Sequence, residues 1–263
     1  MLLAIDIGNT NVVLALLDAE DRVLEERRAP SKDGWTAEQY AAQIRARLCG
    51  RAVCGADVSS VVPELTGVLS AAAREAAGVT ALVVNSDSPV GLTLAIEQPE
   101  TLGADILAAD AAAAEEYPLP VIVFDFGTAT TVTVVDEQRR YRGGVILPGI
   151  KLGMQALFTG TAQLPDIRIE APAHVICTET VESLQAGAVY GAAAMTDGLV
   201  ERMESELGRP WTAVLTGGLG RFVVPHCRRR LVYDEHLLLR GLGMIWRRAQ
   251  GEIHSCGAMG NAV

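Results

Sequence analysis

The sequence has little positive charge and no long apolar run, and each shortage excludes a class of protein. It contains 22 lysines and arginines against 32 acidic residues, a formal net charge of −10. Proteins that bind nucleic acid through a general basic field have the opposite balance, so we expect no nucleic-acid partner. No stretch approaches the length of about 18 uncharged apolar residues that crosses a bilayer, so we expect no membrane span.

Cysteine is also scarce. The chain of 263 residues has five cysteines, with no CxxC pair among them. An odd number of scattered cysteines in a chain of this length argues against a disulfide framework. The first residues, MLLAIDIGNT, reach Asp6 without a basic segment, which is not the pattern of a secretory signal peptide. We therefore expect a protein of the reducing cytoplasm.

The two halves of the chain share a short pattern. Residues 2–18 are LLAIDIGNTNVVLALLD and residues 121–136 are VIVFDFGTATTVTVVD, and aligning Asp6 with Asp125 places Gly8 on Gly127. Each copy has an apolar run, an Asp-x-Gly turn and a second apolar run, which predicts a β-hairpin. The offset of 119 residues is too long for a solenoid repeat and indicates two similar domains.

Other segments complete an α/β fold. Pro118-Leu119-Pro120 is a candidate boundary, giving an N-terminal domain over residues 1–117 and a C-terminal domain over residues 118–263. Hydrophobic periodicity and turn residues mark the remaining elements. They predict helices over residues 36–48, 64–77, 100–116, 150–158, 180–207 and 237–248, and strands within residues 52–62, 79–84, 145–148 and 212–215.

The first hairpin turn, Asp6-Ile7-Gly8-Asn9-Thr10-Asn11, is a candidate phosphate site. Glycine lets the main chain approach a ligand, and successive N–H groups in such a turn form a concave anion site. Asp6 would repel a bare phosphate, so its presence predicts a hydrated Mg²⁺ between the carboxylate and the phosphate. The alternative is an ordinary hairpin turn, in which Asp, Gly and Asn are common.

Two further turns favour the nucleotide interpretation. Residues 125–131, DFGTATT, repeat the acid-glycine-hydroxyl pattern in the second half. Thr216-Gly217-Gly218-Leu219-Gly220 is a small-residue turn after a strand and suits close approach to a base or ribose. The three turns in this order predict a polyphosphate nucleotide held from both halves.

These motifs and several others resemble the type III pantothenate kinases, within the acetate and sugar kinase, Hsp70 and actin superfamily. The resemblance implies two ribonuclease-H-like domains with a nucleotide cleft between them, and a homodimer. It also implies ATP-dependent phosphorylation of the primary hydroxyl of pantothenate, the first step of coenzyme A synthesis. The matching stretches are AIDIGNTN (4–11), SSVVPELT (59–66), LGAD (102–105), DFGTATT (125–131), GGVILPGI (143–150), TAQLP (161–165), TVESLQAG (180–187) and TGGLG (216–220).

The resemblance also implies roles for individual residues. Asp105 matches the group that accepts the proton of the substrate hydroxyl, although an acid at a helix N-terminus can simply interact with the helix dipole. Asp125 matches the ligand of a monovalent cation, K⁺ or NH₄⁺, and Asp6 would hold Mg²⁺ through water. The predicted ATP contacts are Asp6, Ile7, Gly8, Asn9, Thr10, Asn11, Val12, Val13, Gly127, Thr128, Gly217 and Gly218. The predicted substrate contacts are Ile96, Gly103, Ala104, Asp105, Ile106 and Thr180, the last at the dimer interface unless it caps a helix.

The acceptor side departs from the family pattern at two positions. Ile106 stands where the family has arginine, and Ile96 stands where it usually has an aromatic residue. Isoleucine cannot pair with a carboxylate as a guanidinium does. The sequence therefore predicts a kinase that binds pantothenate weakly or takes a less acidic hydroxyl compound, unless Arg142 or Lys151 replaces the charge.

Three alternatives belong to other classes. A regulatory protein that senses ATP or a ligand would not need Asp105. A sugar or acetate kinase would not need the narrow motifs LGAD, GGVILPG and TVESLQAG. An actin-like polymer would need inserted subdomains for which the chain is too short.

Overall fold

The computed structural model describes residues 1–31 and 34–251. They form two compact units, and the chain crosses from one to the other twice. The first unit comprises Met1–Glu115 together with the segment that begins at Leu237, and the second comprises Glu116–His236.

The first unit is built on a five-stranded sheet in the order β3-β2-β1-β4-β5. Strands β1, β2 and β3 are antiparallel neighbours, and β4 and β5 continue the sheet in parallel with β1. A 3₁₀ turn, Pro99–Thr101, precedes α3. The elements are β1 (Leu2–Ile7), β2 (Asn11–Leu17), β3 (Val23–Pro30), α1 (Ala37–Leu48), β4 (Gly55–Ser60), α2 (Pro63–Ala77), β5 (Ala81–Val83), β6 (Thr93–Leu94), α3 (Ala104–Glu116) and α7 (Leu237–Ala249).

Both faces of this sheet are covered, because successive side chains of β1 point to opposite sides. Ile5 and Ile7 pack with α1 and α2 around Tyr40. Leu2 and Ala4 pack on the other face with α3 and α7. Helix α1 begins one residue after the predicted start, because Thr36 is its N-cap and forms a reciprocal capping box with Gln39.

The second unit repeats this topology. The five strands that belong to this unit lie in the order β9-β8-β7-β10-β11, with β7, β8 and β9 antiparallel and β10 and β11 parallel to β7. Phe124 and Phe126 of β7 pack under α5. The elements are β7 (Val121–Phe126), β8 (Ala129–Val135), β9 (Arg140–Pro148), α4 (Ile150–Gly160), α5 (Thr180–Leu207), β10 (Thr212–Thr216), α6 (Gly220–Val223) and β11 (Val232–Tyr233).

The predicted fold class is confirmed. Each unit has three antiparallel strands followed by two parallel ones, which is the ribonuclease-H-like arrangement, and each opens with the predicted hairpin. Within residues 1–31 and 34–251, no helix combines the length and the apolar character needed to cross a membrane.

The placement of α7 differs from the predicted C-terminal domain over residues 118–263. This helix belongs to the first unit, where Leu242 and Ile245 join the core formed with β1 and α3. Its packing against α3 is close, because a Cβ atom at Gly241 would overlap main-chain atoms of Ala108. The apolar stripe of α7 thus covers a sheet that lies far away in the sequence.

Candidate active site

The turn after β1 places Asp6 at the end of a central strand. Asp6 is half-buried and lies between Val13 of β2 and Ser59 of β4 in the sheet register. The Gly8 N–H donates to the Asn11 carbonyl oxygen at 2.9 Å and closes the turn. Asn9, Thr10 and Asn11 are exposed.

The side chains in this segment divide into two groups. Ile7, Val12 and Val13 are buried in the core, so the residues of the turn that are open to a ligand are Gly8 to Asn11. All eight ATP contacts predicted over residues 6–13 stay predictions, and the side chains of Ile7, Val12 and Val13 point into the core.

Ser31 supports the first turn and was not predicted from the sequence. Its hydroxyl donates to the Gly8 carbonyl oxygen at 2.6 Å, and its N–H donates to the Thr10 carbonyl oxygen at 3.0 Å. Ser31 directly follows β3, whose exposed and charged residues give no clear alternation. Because the sequence does not predict β3, it gives no distinctive signal for the role of Ser31.

The second turn, between β7 and β8, has the same layout. Asp125 is half-buried between Thr131 of β8 and Thr216 of β10, and Gly127 and Thr128 are exposed. The Gly149 N–H donates to the Thr128 carbonyl oxygen at 3.2 Å. A Cβ atom at Gly149 would overlap the carbonyl groups of Gly127 and Thr128, so this glycine lets α4 begin directly against the turn.

The third turn lies against the second. Gly217 has a φ of +82°, and a Cβ atom there would lie 2.6 Å from the Phe126 main-chain nitrogen and overlap the Asp125 carboxylate. The Tyr233 hydroxyl donates to the Gly217 carbonyl oxygen at 3.2 Å. The main chain of Gly217 therefore lies directly against the Asp125 turn, and the next residue, Gly218, is half-buried.

We expect Gly217→Ala to lower the denaturant midpoint of unfolding by more than Gly208→Ala does. Both glycines have positive φ, +82° and +79°, but a Cβ atom at Gly208 meets nothing within 4 Å. The control therefore measures the backbone strain, about 1–3 kcal/mol, and any excess measures the overlap with Asp125 and Phe126. Equal midpoints for the two variants would show that the third turn does not depend on its approach to Asp125.

Asp105 lies in the first turn of α3, half-buried. Loss of hydration on burial raises its pKa, opposed by hydrogen bonds from main-chain N–H groups such as that of Ile106, at 2.9 Å. The net rise of the pKa reflects burial of the side chain, so it is compatible with a proton acceptor and with a purely structural acid.

Gly103 makes room for this carboxylate. A Cβ atom at Gly103 would overlap Asp105 Oδ1 and lie 3.8 Å from Val61 Cγ1. Ala104 is buried in the core of the first unit. Gly103 and Ala104 of the LGAD motif therefore position the start of α3, and the predicted proton-acceptor role of Asp105 stays a prediction.

The two apolar acceptor positions lie in the first unit, and the two basic candidates lie in the second. Ile96 and Ile106 are both half-buried. Arg142 lies on β9 and pairs with the Asp136 carboxylate at 3.3 Å, and Lys151 is exposed in the first turn of α4.

Thr180 is the first residue of α5 and is exposed. The N-cap of α5 is Glu179, which makes no side-chain capping hydrogen bond. The interpretation of Thr180 as a capping residue is therefore wrong, which leaves its predicted substrate contact as an open prediction.

The sequence of this chain matches those of known proteins over most of its length. A sequence model of the type III pantothenate kinases matches residues 2–202. A type III pantothenate kinase from an Exiguobacterium species is 36% identical over 255 residues, covering 95% of this chain and 100% of that protein. One from Myxococcus xanthus is 38% identical over 253 residues, covering 94% and 98%.

A solved structure supports the fold independently. A conserved putative Baf family transcriptional activator from Campylobacter jejuni superimposes with a TM-score of 0.59 at 20% identity, covering 95% of this chain and 99% of that one. The match over most of the chain, and relatives of nearly equal length, show that this chain belongs to the type III pantothenate kinase family.

Proposed function

We propose that this protein transfers the γ-phosphoryl group of ATP to the primary hydroxyl of pantothenate, the first step of coenzyme A biosynthesis. The observation that carries the proposal is Asp105, a half-buried carboxylate with a raised pKa that stands next to Gly103. Phosphoryl transfer needs alignment, charge neutralisation and a group that orients or deprotonates the acceptor. Relatives named for this activity align over almost the whole chain.

In the proposed reaction the acceptor oxygen attacks the γ-phosphorus, and the bond to the β,γ-bridging oxygen breaks as ADP leaves. The proton of the hydroxyl passes to the Asp105 carboxylate. We assign the hydrogen bonds to phosphate oxygens to Asn9, Thr10 and Asn11 of the first turn and to Gly127 and Thr128 of the second, and the approach to the nucleoside to Gly217 and Gly218.

Asp6 fits a magnesium ion bound through water. Among residues 1–31 and 34–251 there is no group of three His, Cys, Asp or Glu side chains that could hold a metal. Mg²⁺ is usually held by one or two carboxylates, waters and substrate phosphates, so a single half-buried carboxylate beside a phosphate turn suits it. When bound, the ion neutralises charge on the phosphates. We propose Asp125, beside the Gly217 main chain, for K⁺ or NH₄⁺.

The two acceptor positions of the family pattern carry apolar side chains in this chain. Ile96 and Ile106 offer no positive charge, and Arg142 is paired with Asp136. These observations favour a second candidate, a kinase for a hydroxyl compound that is less acidic than pantothenate. A missing contact between a guanidinium and a carboxylate would weaken binding of the acid by about 2–5 kcal/mol.

A coupled assay of ATP consumption with Mg²⁺ and K⁺ tests both candidates. It compares pantothenate with its alcohol analogue, in which CH₂OH replaces the carboxylate. Turnover that depends on pantothenate supports the first candidate. Higher kcat/KM for the alcohol supports the second, and the absence of turnover with pantothenate contradicts the first.

We also propose that the protein forms a homodimer through an apolar surface at α4 and the start of α5. Helix α4 has no buried residue. Leu152, Leu157, Phe158 and Val181 are 51%, 40%, 42% and 44% exposed. A cluster of exposed apolar side chains of this kind marks a protein interface.

We expect the double change Leu152→Asp and Phe158→Asp to convert the dimer into a monomer, because two carboxylates would be buried without partners. Light scattering after size exclusion measures the mass. Leu24→Asp is the matched control, since Leu24 is 48% exposed but lies on β3. A monomeric wild type, or a mass unchanged by the double change, would contradict the proposal.

We also propose that the protein is cytoplasmic. The four cysteines within the described ranges, Cys49, Cys54, Cys177 and Cys227, are all free thiols. Free thiols and a net charge of −10 support a reducing compartment and no nucleic-acid partner.

A further inference from the structure

Ser59 is a buried polar residue with no role in the proposed reaction. It lies on β4 with 0% of its surface exposed. Within the part of the chain that the structure describes, its hydroxyl oxygen has no hydrogen-bond partner. Buried hydroxyl groups are normally satisfied, so an exception requires a physical explanation.

The register of the sheet places Ser59 beside Asp6. Strands β1 and β4 are parallel, and Asp6 is the direct partner of Ser59. Direct partners in a sheet project to the same face. Ile5 and Ile7 pack on the opposite face with α1 and α2, so Asp6 and Ser59 share the face that carries Ala4 and α3.

The pairing continues beyond this point, which restricts movement of the two residues. The Val61 N–H donates to the Ile7 carbonyl oxygen at 3.0 Å, one step past the Asp6 pair. The Ser60 hydroxyl accepts from the Val62 N–H at 3.1 Å and from the Thr66 hydroxyl at 2.8 Å, fixing the turn into α2. Ser59 is therefore held next to Asp6 by main-chain pairing on both sides.

We propose that Ser59 is a positioning residue for Asp6. Its hydroxyl donates to the Asp6 carboxylate when nucleotide and hydrated Mg²⁺ are bound, and so fixes the carboxylate oxygen that faces the water of the ion. This inference rests on the proposed ATP-dependent function. It adds a second residue, on a different strand, to the site around Asp6.

A purely structural explanation would give Ser59 a buried water shared with Asp57. Asp57 lies two residues earlier on the same face, is also fully buried, and its Oδ2 has no partner among the described residues. Its partner on β1 is Ala4, however, and not Asp6. Asp57 therefore provides a matched control with the same burial and the same face.

Calorimetric titration with a non-hydrolysable ATP analogue tests the role of Ser59. The dissociation constant is measured with Mg²⁺ and with a chelator in its place. Because a hydrogen bond to a charged group is involved, we expect Ser59→Ala to weaken binding roughly tenfold with Mg²⁺ and less than about twofold with the chelator. Ser59→Cys keeps the shape of the side chain with a larger atom that is a weaker donor, so it should bind between wild type and Ser59→Ala. Asp57→Asn should bind like wild type.

The outcomes of these titrations distinguish a positioning role of Ser59 from a structural one. Equal Mg²⁺-dependent affinities for wild type and Ser59→Ala overturn the positioning role and leave the proposed function intact. An equal loss with and without Mg²⁺, or a matching loss in Asp57→Asn, assigns Ser59 a structural role. A wild type whose affinity for the analogue does not depend on Mg²⁺ contradicts both the inference and the Mg²⁺-ATP part of the proposed function. If Ser59→Ala does not fold, the Ser59→Cys comparison carries the test.

Discussion

Replacing Asp105 with asparagine lowers kcat by about 10²–10⁴-fold, the range typical of a lost general base, and leaves the affinity for ATP nearly unchanged. Asparagine keeps the shape of the side chain at the start of α3 but cannot take the proton of the acceptor hydroxyl. The measurement is steady-state kinetics with the acceptor that the wild type uses, together with ATP binding by calorimetry. Undiminished turnover would remove Asp105 from the reaction, and a regulatory sensor would keep its signalling function in this variant.

The pH dependence provides a second test of the same residue. Burial raises the pKa of Asp105, and the base must be ionised to act. The kcat/KM of the wild type should therefore fall as the pH drops through a value above the usual 3.8 of aspartate, and the residual activity of Asp105→Asn should lack this limb. Glu100→Gln is the control, since Glu100 is an exposed acid in the 3₁₀ turn before α3 and should leave the profile unchanged.

The glycine turns could be predicted because their chemistry is local. A hairpin needs apolar runs on both sides and a glycine between them, and both copies show this pattern in consecutive residues. Helix α5 was predicted with its observed bounds, Thr180–Leu207, for a similar reason. The two hairpins carry most of the predicted phosphate contacts.

Strand β3 could not be predicted from periodicity. Its sequence VLEERRAP is exposed at most positions, because it forms the edge of the sheet. Charged edge strands protect a sheet against pairing with other chains, but they lack the alternation that identifies a strand. Ser31, which directly follows β3 and holds the Gly8 turn, was missed together with it.

The position of α7 depends on tertiary packing. Its apolar stripe predicts a helix, but the stripe does not specify which sheet it covers. Tertiary contacts such as those of Leu242 and Ile245 with β1 and α3 assign it to the first unit. Asp57 was overlooked for a related reason, since a single acid inside an apolar strand reads as an exposed position.

Asp57→Asn should make the protein more stable than the wild type at alkaline pH, by up to about 5 kcal/mol. Complete burial raises the pKa of Asp57 to about 8, opposed by a hydrogen bond from the Val58 N–H. Below about pH 4 the carboxyl is protonated in both folded and unfolded chains. Between that pH and about 8 the unfolded chain has lost the proton and the folded chain still holds it, so stability falls by about 1.4 kcal/mol per pH unit. Above this range both states are ionised, and the difference stays constant.

Asparagine has the shape of the protonated acid and no charge at any of these pH values, so the variant loses this slope. The measurement is the thermal unfolding midpoint of both proteins at pH 5 and pH 9. The gap between the two midpoints should be small at pH 5 and several times larger at pH 9, because all other groups titrate alike in both proteins. Asp87→Asn is the control, because Asp87 lies at an exposed position of a turn. Its unfolding midpoint should match that of the wild type at both pH values. A constant gap between wild type and Asp57→Asn across this range would mean that Asp57 is already ionised in the folded chain at pH 5, and that a bound cation or water compensates its charge inside the sheet.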